Sequence, residues 1–298
     1  QTSLEICVSS EWNADVRRLT LTNTGDEDRI IEVTTFSELV MAHPMADDAH
    51  PSFSKLFVKT EYSPDIQCLL ASRRPRHEHE KTLWMAHSLM FDGRTLGPME
   101  YETDRASFIG RGNSLSKPQG IYSHLRGSVG SVTDPAFIMR QRISIASGEQ
   151  VQLYAVTAVA DSKEEVVDIM GRFSGELVVE RSFQLAWNRS QIELRHLNLT
   201  TQEAMNIQAL AGRVWYTSPL IKLRKQSIAA NAMGQSCLWC HGISGDLPII
   251  LVQIDNRANM RFVIRLLTGH VYLRRMGCHF DLVIMNESAD SYQEDLAD

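Results

Sequence analysis

Cys237, Trp239, Cys240, His241, Ser244 and Asp246 crowd into the first part of the stretch CLWCHGISGDLPIILVQI, Cys237 to Ile254. An imidazole, a hydroxyl and a carboxylate together supply paired hydrogen-bond donors and acceptors, and a flat indole offers a stacking face. Trp239, His241, Ser244 and Asp246 are therefore the candidate substrate-binding residues. Gly242 and Gly245 let the backbone turn where a β-carbon would clash. Pro248 then opens an apolar run, Ile249 to Val252, expected as a buried strand or helix start that fixes the loop in place. The competing account is a tight turn in which Asp246 caps the next segment and His241 bonds backbone.

Cys237 and Cys240 form a CxxC. No second pair completes a zinc site, and a redox pair is expected beside a βαβ pattern, which the sequence does not suggest. The expectation is no metal. Cys7, Cys68 and Cys278 sit in apolar contexts and read as reduced core residues. An odd cysteine count without a secretion signal favours a reducing compartment.

Three other polar stretches are candidate sites. His43, Asp47, Asp48 and His50, within Ala42–Lys55, could ligate a metal but read as a solvated loop. SRRPRHEHEK, Ser72 to Lys81, reads as a solvated hairpin tip. FIGRGNSLSKPQG, Phe108 to Gly120, lacks the Lys-Ser/Thr ending of a phosphate loop.

The elements that must position these residues come in two kinds. Up to about Ala160 the chain alternates with period two: around Leu4–Val8, Val16–Leu21, Ile30–Met41, Lys55–Glu61, Ile66–Ser72, Leu83–Phe91, Pro98–Thr103, Ala136–Ile145 and Val151–Val159. NTGDED (Asn23–Asp28) and ASGEQ (Ala146–Gln150) read as turns between antiparallel neighbours, the latter as a hairpin. Closely spaced strands without alternating helices predict a large antiparallel β-sandwich.

From Asp161 the period becomes helical. DSKEE supplies a cap and first-turn acids. Helical faces follow at Val166–Phe173, Val179–Leu197 and Ile207–Val214, with Trp187 and Trp215 expected in the core. Beyond the loop, Val263, Leu266, Leu267, His270 and Val271 form a stripe ending at Gly277, and Phe280–Met285 is strand-like. The domains expected are a β-sandwich at 1–160, a helical linker and junction loop at 161–255, and a third segment at 256–298.

A chain of 298 residues with 43% hydrophobic and 22% charged residues suits a soluble globular protein, and a net charge of −6 without a basic stripe argues against nucleic acid. No apolar run is long enough to span a bilayer. The chain opens on Gln1 in mid-pattern, and is expected to be a piece of something longer.

EVTTFSELVMA, ADDAHPSFSKLFVKTE, LLASRRPR, LWCHGISGDLPIILVQI and YLRRMGCHFDLVIMNE followed by SYQEDL resemble, in order over nearly the whole chain, segments of the cyclic β-1,2-glucan synthases. More broadly they resemble the 1,2-β-oligoglucan phosphorylase branch of the inverting cellobiose-phosphorylase family. That resemblance implies a supersandwich-like β-sandwich, linker helices and an (α/α)6 catalytic barrel, of which 256–298 would be the start. A barrel needs several hundred residues, so no catalytic residue is assigned here: the general acid would lie beyond this segment. The implied parent reaction is inverting phosphorolysis, or synthesis, of β-1,2-glucosidic bonds. No cofactor is implied, with inorganic phosphate as co-substrate. Implied partners are a glucan oligosaccharide, the remainder of the parent chain and a second copy in a homodimer. No nucleic acid and no membrane contact from this segment are expected. The implied location is cytoplasmic, with any inner-membrane anchor supplied by other segments of the parent. The alternative is a stand-alone carbohydrate-binding module, for which Trp12, Tyr62, Trp84, Tyr122 and Trp239 are the candidate platforms and an aromatic content of 7% is low.

Overall fold

Residues 135–160 supply an interior strand to each of two different sheets. The computed structural model describes residues 1–77, 80–216, 229–255 and 259–287. Its first nine strands are β1 (Thr2–Val8), β2 (Ala14–Thr22), β3 (Arg29–Glu38), β4 (Val58–Ser63), β5 (Cys68–Arg73), β6 (Leu83–Asp92), β7 (Thr95–Asp104), β8 (Pro135–Ile145) and β9 (Gln150–Ala160). Six form one sheet in the order β1-β2-β9-β6-β5-β4, and three form another in the order β3-β8-β7. Every pairing in both is antiparallel. The expected antiparallel sandwich is the fold.

Alternation places one residue set of each strand between the sheets. Phe137, Met139, Ile143 and Ile145 of β8 meet Leu69, Ala71, Leu89 and Leu153 of the larger sheet, all buried. The outer face of that sheet carries Val16, Leu70, Ala86, Val156 and Ala158. It is covered by helix α4 (Lys163–Arg172), through Val166, Ile169 and Met170, with Phe173 and Val179 beside it. Ser162 caps α4 by accepting from the Glu165 amide. On the outer face of the smaller sheet, Ala136 and Ile138 are covered by Phe108 from the short helix α3 (Arg105–Ile109).

Two turns differ from expectation. ASGEQ is not a hairpin: β8 and β9 lie in different sheets, so this turn crosses the sandwich. NTGDED likewise leads from β2 in one sheet to β3 in the other. Turn residues announce a change of direction but not the partner, and the buried Asn23 binds the two corners together. Its amide nitrogen Nδ2 donates to the carbonyls of Ile145, Ala146 and Glu27, at 3.1, 3.1 and 2.8 Å.

The stretch Ala42–Lys55 is two short helices, α1 (Pro44–Ala49) and α2 (Pro51–Lys55), each opened by a proline at its first turn. His43 Nδ1 accepts from the Met45 amide as an N-cap. SRRPRHEHEK is not wholly solvated. Arg73 is buried, donating to the Ser54 carbonyl at 2.7 Å and pairing with Glu80 at 3.4 Å. Residues 78–79 of that stretch lie outside the described residues.

The chain divides into two compact units, Gln1–Asn188 and Arg189–Asp298. Helix α5 (Glu176–His196) spans the division. Trp187 on α5 is 62% exposed and Trp215, at the end of α6 (Thr201–Trp215), is 47% exposed; neither is the core residue its spacing predicts. Their positions complete apolar stripes, but the buried members are Val179 and Leu194 on α5 and Ala204 and Ala211 on α6. A capping box joins Thr200 and Glu203 at the start of α6.

The second unit contains β10 (Ile249–Ile254), helix α7 (Met260–Arg275) and β11 (Asp281–Asn286), and β10 pairs with β11 in parallel. Parallel neighbours need a crossover, here a helix, so this is a βαβ unit. The sequence does not suggest this βαβ unit, because one strand-helix-strand repeat is too short a signal to stand out against the preceding helices. The inward residues of α7 are Val263, Gly269, Tyr272 and Leu273, whereas Leu267 and Val271 of the predicted stripe are exposed. Gly269 sets that face, because a β-carbon there would lie 3.0 Å from Ile207 Cγ1 of α6. His270 instead bonds the Phe280 carbonyl at 3.0 Å.

Candidate functional site

The loop before β10 is built by a short 3-10 helix, Gln235–His241, that ends at Gly242 in the left-handed region with φ 72°. Gly242 and Ile243 return their amides to the carbonyls of Trp239 and Leu238. The chain then doubles back, and Gln235 fastens its far side. Its Nε2 donates to the Ser244 carbonyl and to Asp246 Oδ1, both at 2.9 Å. Trp239 Nε1 donates to the same Ser244 carbonyl at 3.2 Å, and the Asp246 amide donates to Ser244 Oγ at 3.2 Å. Gly245 is required twice over: its φ is +78°, and a β-carbon would sit 2.8 Å from Gln235 Cγ.

All four predicted residues lie on this one loop, and Trp239, Ser244 and Asp246 are tied into one hydrogen-bond network. His241 is exposed at the helix end. Trp239 is 64% exposed, which leaves its indole face open. Asp246 caps no helix, since the apolar run is a strand; it receives the Gln235 side chain instead. A carboxylate has about four acceptor sites, so this bond leaves capacity for a ligand. The loop therefore presents an indole, an imidazole, a hydroxyl and a carboxylate on the surface of a rigid turn.

The aromatic platforms sort themselves by surroundings. Tyr62 is stacked on Tyr101 with ring centroids 4.0 Å apart. Arg172 lies over Trp12 and Lys163 over Trp84. Trp239 and Tyr122, the latter 74% exposed, are the open ones.

Two polar constellations escaped the sequence reading. On the outer face of the smaller sheet a crevice of about 250 Å³ has Glu100, His124, Arg140 and Arg142 in its wall. Arg140 is only 3% exposed. It donates to Thr34 Oγ1 at 3.1 Å, to the Ser123 carbonyl at 2.9 Å and to the Gly120 carbonyl, and it lies 3.3 Å from Glu32 and 3.6 Å from Glu100. Burial would raise the Glu100 carboxyl, but bonds from His124 and the Leu125 amide, with Arg140 nearby, hold it below the usual carboxylate range. These groups spend themselves on one another, and the cluster anchors the 119–124 segment to the sheet.

The second constellation lies between the sheets. His87 on β6 meets Thr35 Oγ1 through Nε2 at 3.0 Å and Thr157 Oγ1 through Nδ1 at 2.9 Å. Complete burial, aided by the charge of Arg17, lowers its pKa to about 4. Nothing in the alternation of β6 singles out His87, which falls at an inward position like any apolar residue.

The antiparallel sandwich with its helical cover, followed by helices, is what the comparisons with known proteins match. A family model described as the glycosyl hydrolase 94 supersandwich domain covers residues 1–176. This chain belongs to that family. The glycosyl hydrolase 94 match ends in the first turn of α5, so the 235–246 loop lies beyond it. A second similarity reaches across the loop. The chain is 32% identical over 295 residues to the cyclic beta-(1,2)-glucan synthase NdvB of Rhizobium meliloti (strain 1021). Those residues make up 98% of this chain and 10% of NdvB, so the chain spans about a tenth of the curated relative it matches. Among the described residues no helix is long and apolar enough to cross a membrane.

Proposed function

We propose that this chain is the supersandwich and flanking helical segment of a larger enzyme acting on β-1,2-glucans, in which it serves as scaffold and contributes a sugar-contacting loop. The observation that carries this reading is the similarity to NdvB, continuous over 98% of the chain. In the parent reaction a β-1,2-glucosidic bond is cleaved by inorganic phosphate with inversion, or made by the reverse step. Phosphate then stands where an inverting hydrolase holds its water, and a single carboxylic acid protonates the leaving oxygen. That acid belongs to the barrel of the parent. Here Trp239 offers a stacking face, while His241, Ser244 and Asp246 offer partners for sugar hydroxyls. A second copy and the rest of the parent chain are its proposed partners.

The exposure of Tyr122 and Trp239 favours one further reading, a module that binds glucan by itself. Titration calorimetry of the isolated chain with β-1,2-glucan oligosaccharides separates the two, with no heat expected for a scaffold. The same chain should release no glucose 1-phosphate from β-1,2-glucan and phosphate. The loop assignment is tested by Asp246→Ala in the full-length parent. Turnover should fall at least tenfold with the melting temperature unchanged; wild-type turnover by a variant that melts early would make the loop structural.

A further inference from the structure

We propose that Cys237 and Cys240 are a redox modification site, a dithiol that closes to an intramolecular disulfide by exchange with a low-molecular-weight disulfide. Both thiols are exposed, whereas Cys68 is fully buried and Cys7 and Cys278 are half-buried. Their placement matters more than their number. The pair lies within the 3-10 helix Gln235–His241, where side chains three apart eclipse one another on the same side of the helix. A rise of about 2.0 Å per residue sets their Cα atoms about 6 Å apart, inside the span of ordinary disulfides. An independent contact agrees: Cys240 Sγ lies 3.1 Å from the Cys237 carbonyl oxygen, so the second sulfur already folds back over the first residue. The helix is tied to the returning chain by the Gln235 and Trp239 side chains, which both donate to the Ser244 carbonyl, and it ends at the left-handed Gly242, so the approach is built into the turn. A redox CxxC is expected beside a βαβ unit, and the parallel β10–α7–β11 unit follows this pair directly.

The step balances without any other participant. One cysteine, as thiolate, attacks a sulfur of the small disulfide, forming a mixed disulfide and expelling one small thiolate. The other cysteine thiolate attacks the protein-bound sulfur, forming the Cys237–Cys240 bond and expelling the second. Two protein thiols are oxidised, one small disulfide is reduced to two thiols, and the two cysteine protons end on the leaving groups. The inference does not depend on glucan chemistry. Trp239 sits between the two cysteines and bonds the Ser244 carbonyl, so closure is expected to register in the loop that carries His241, Ser244 and Asp246.

The experiment equilibrates the purified chain with oxidised glutathione, quenches with an alkylating agent and maps the cysteines by mass spectrometry. The expected result is a peptide carrying both Cys237 and Cys240, two hydrogens lighter and unalkylated, with Cys68 still a free thiol after unfolding. Cys237→Ser should instead leave a glutathione adduct on Cys240. Indole fluorescence should change on oxidation of the native chain and stay constant in Cys237→Ser/Cys240→Ser. Two alkylated thiols, or two separate glutathione adducts without the internal bond, overturn the proposal.

Discussion

The Nε2 atom of His87 on the six-stranded sheet lies 3.0 Å from the hydroxyl of Thr35 on the three-stranded sheet, a direct polar bond across the sandwich. With Thr157 on the other nitrogen, the imidazole is bonded at both ends and neutral. A protonated ring would need acceptors on both sides and would bring a charge into the space between the sheets.

Stability should therefore fall in acid for an identifiable reason. Burial lowers the His87 pKa in the folded chain to about 4, from the ordinary histidine value of about 6.5. Between those values the unfolded chain binds more protons, so unfolding free energy rises with pH there and is flat on this account above and below. The difference amounts to about 3 kcal/mol. Urea unfolding from pH 4 to 7 should show that slope, and His87→Gln should flatten it; an unchanged slope would remove His87 as its source.

Asn23→Ala should lower the unfolding free energy by about 2–3 kcal/mol, because three carbonyls at the sheet-crossing corners lose their donor at once. Asn23→Asp, which keeps the size but not the donors, should recover little of the loss. Thermal melts of the three proteins make the comparison.

Arg140→Met should cost about 3 kcal/mol, since it leaves Glu32 and Glu100 facing each other and strips the Gly120 and Ser123 carbonyls of their donor. Arg140→Lys should restore only part, as an ammonium cannot reproduce the planar fork. Proteolysis within 119–124 should speed up in both variants.

Gly245→Ala should act locally. Its φ of +78° and the 2.8 Å approach to Gln235 Cγ both oppose a β-carbon. Amide exchange across 235–246 should accelerate by at least tenfold, while β8 and β9 keep their protection. Equal protection of the loop in both proteins would mean that the turn is not held by Gly245.

The strands were legible because alternation is a local property, and each expected strand up to β9 is present. Their partners were not legible, because ASGEQ and NTGDED encode a bend and not the sheet to which the chain returns. Trp187 and Trp215 show a related limit: a stripe on a helix marks a potential interface, and tertiary packing decides which members are used. The Trp239–Asp246 loop stood out because its polar groups are adjacent in sequence. Glu100, His124 and Arg140 are far apart in sequence and meet only after β7, β8 and the 119–124 segment have been assembled.

The central position of β8 and β9 also dictates a timetable. Before Pro135 leaves the ribosome, β3 and β7 have no common neighbour, and before Gln150 appears the β1–β2 and β4–β5–β6 portions have nothing to join them. A nascent chain of that length presents bare edges on β2 and β6, which invite pairing with other chains. Completion waits on contacts between residues more than a hundred positions apart, such as Thr22 with Gln150 and Arg29 with Ile145, and long-range pairing of this kind is slow. The last 26 residues of the sandwich are thus the ones that decide, during synthesis, whether the earlier strands find each other or a neighbour.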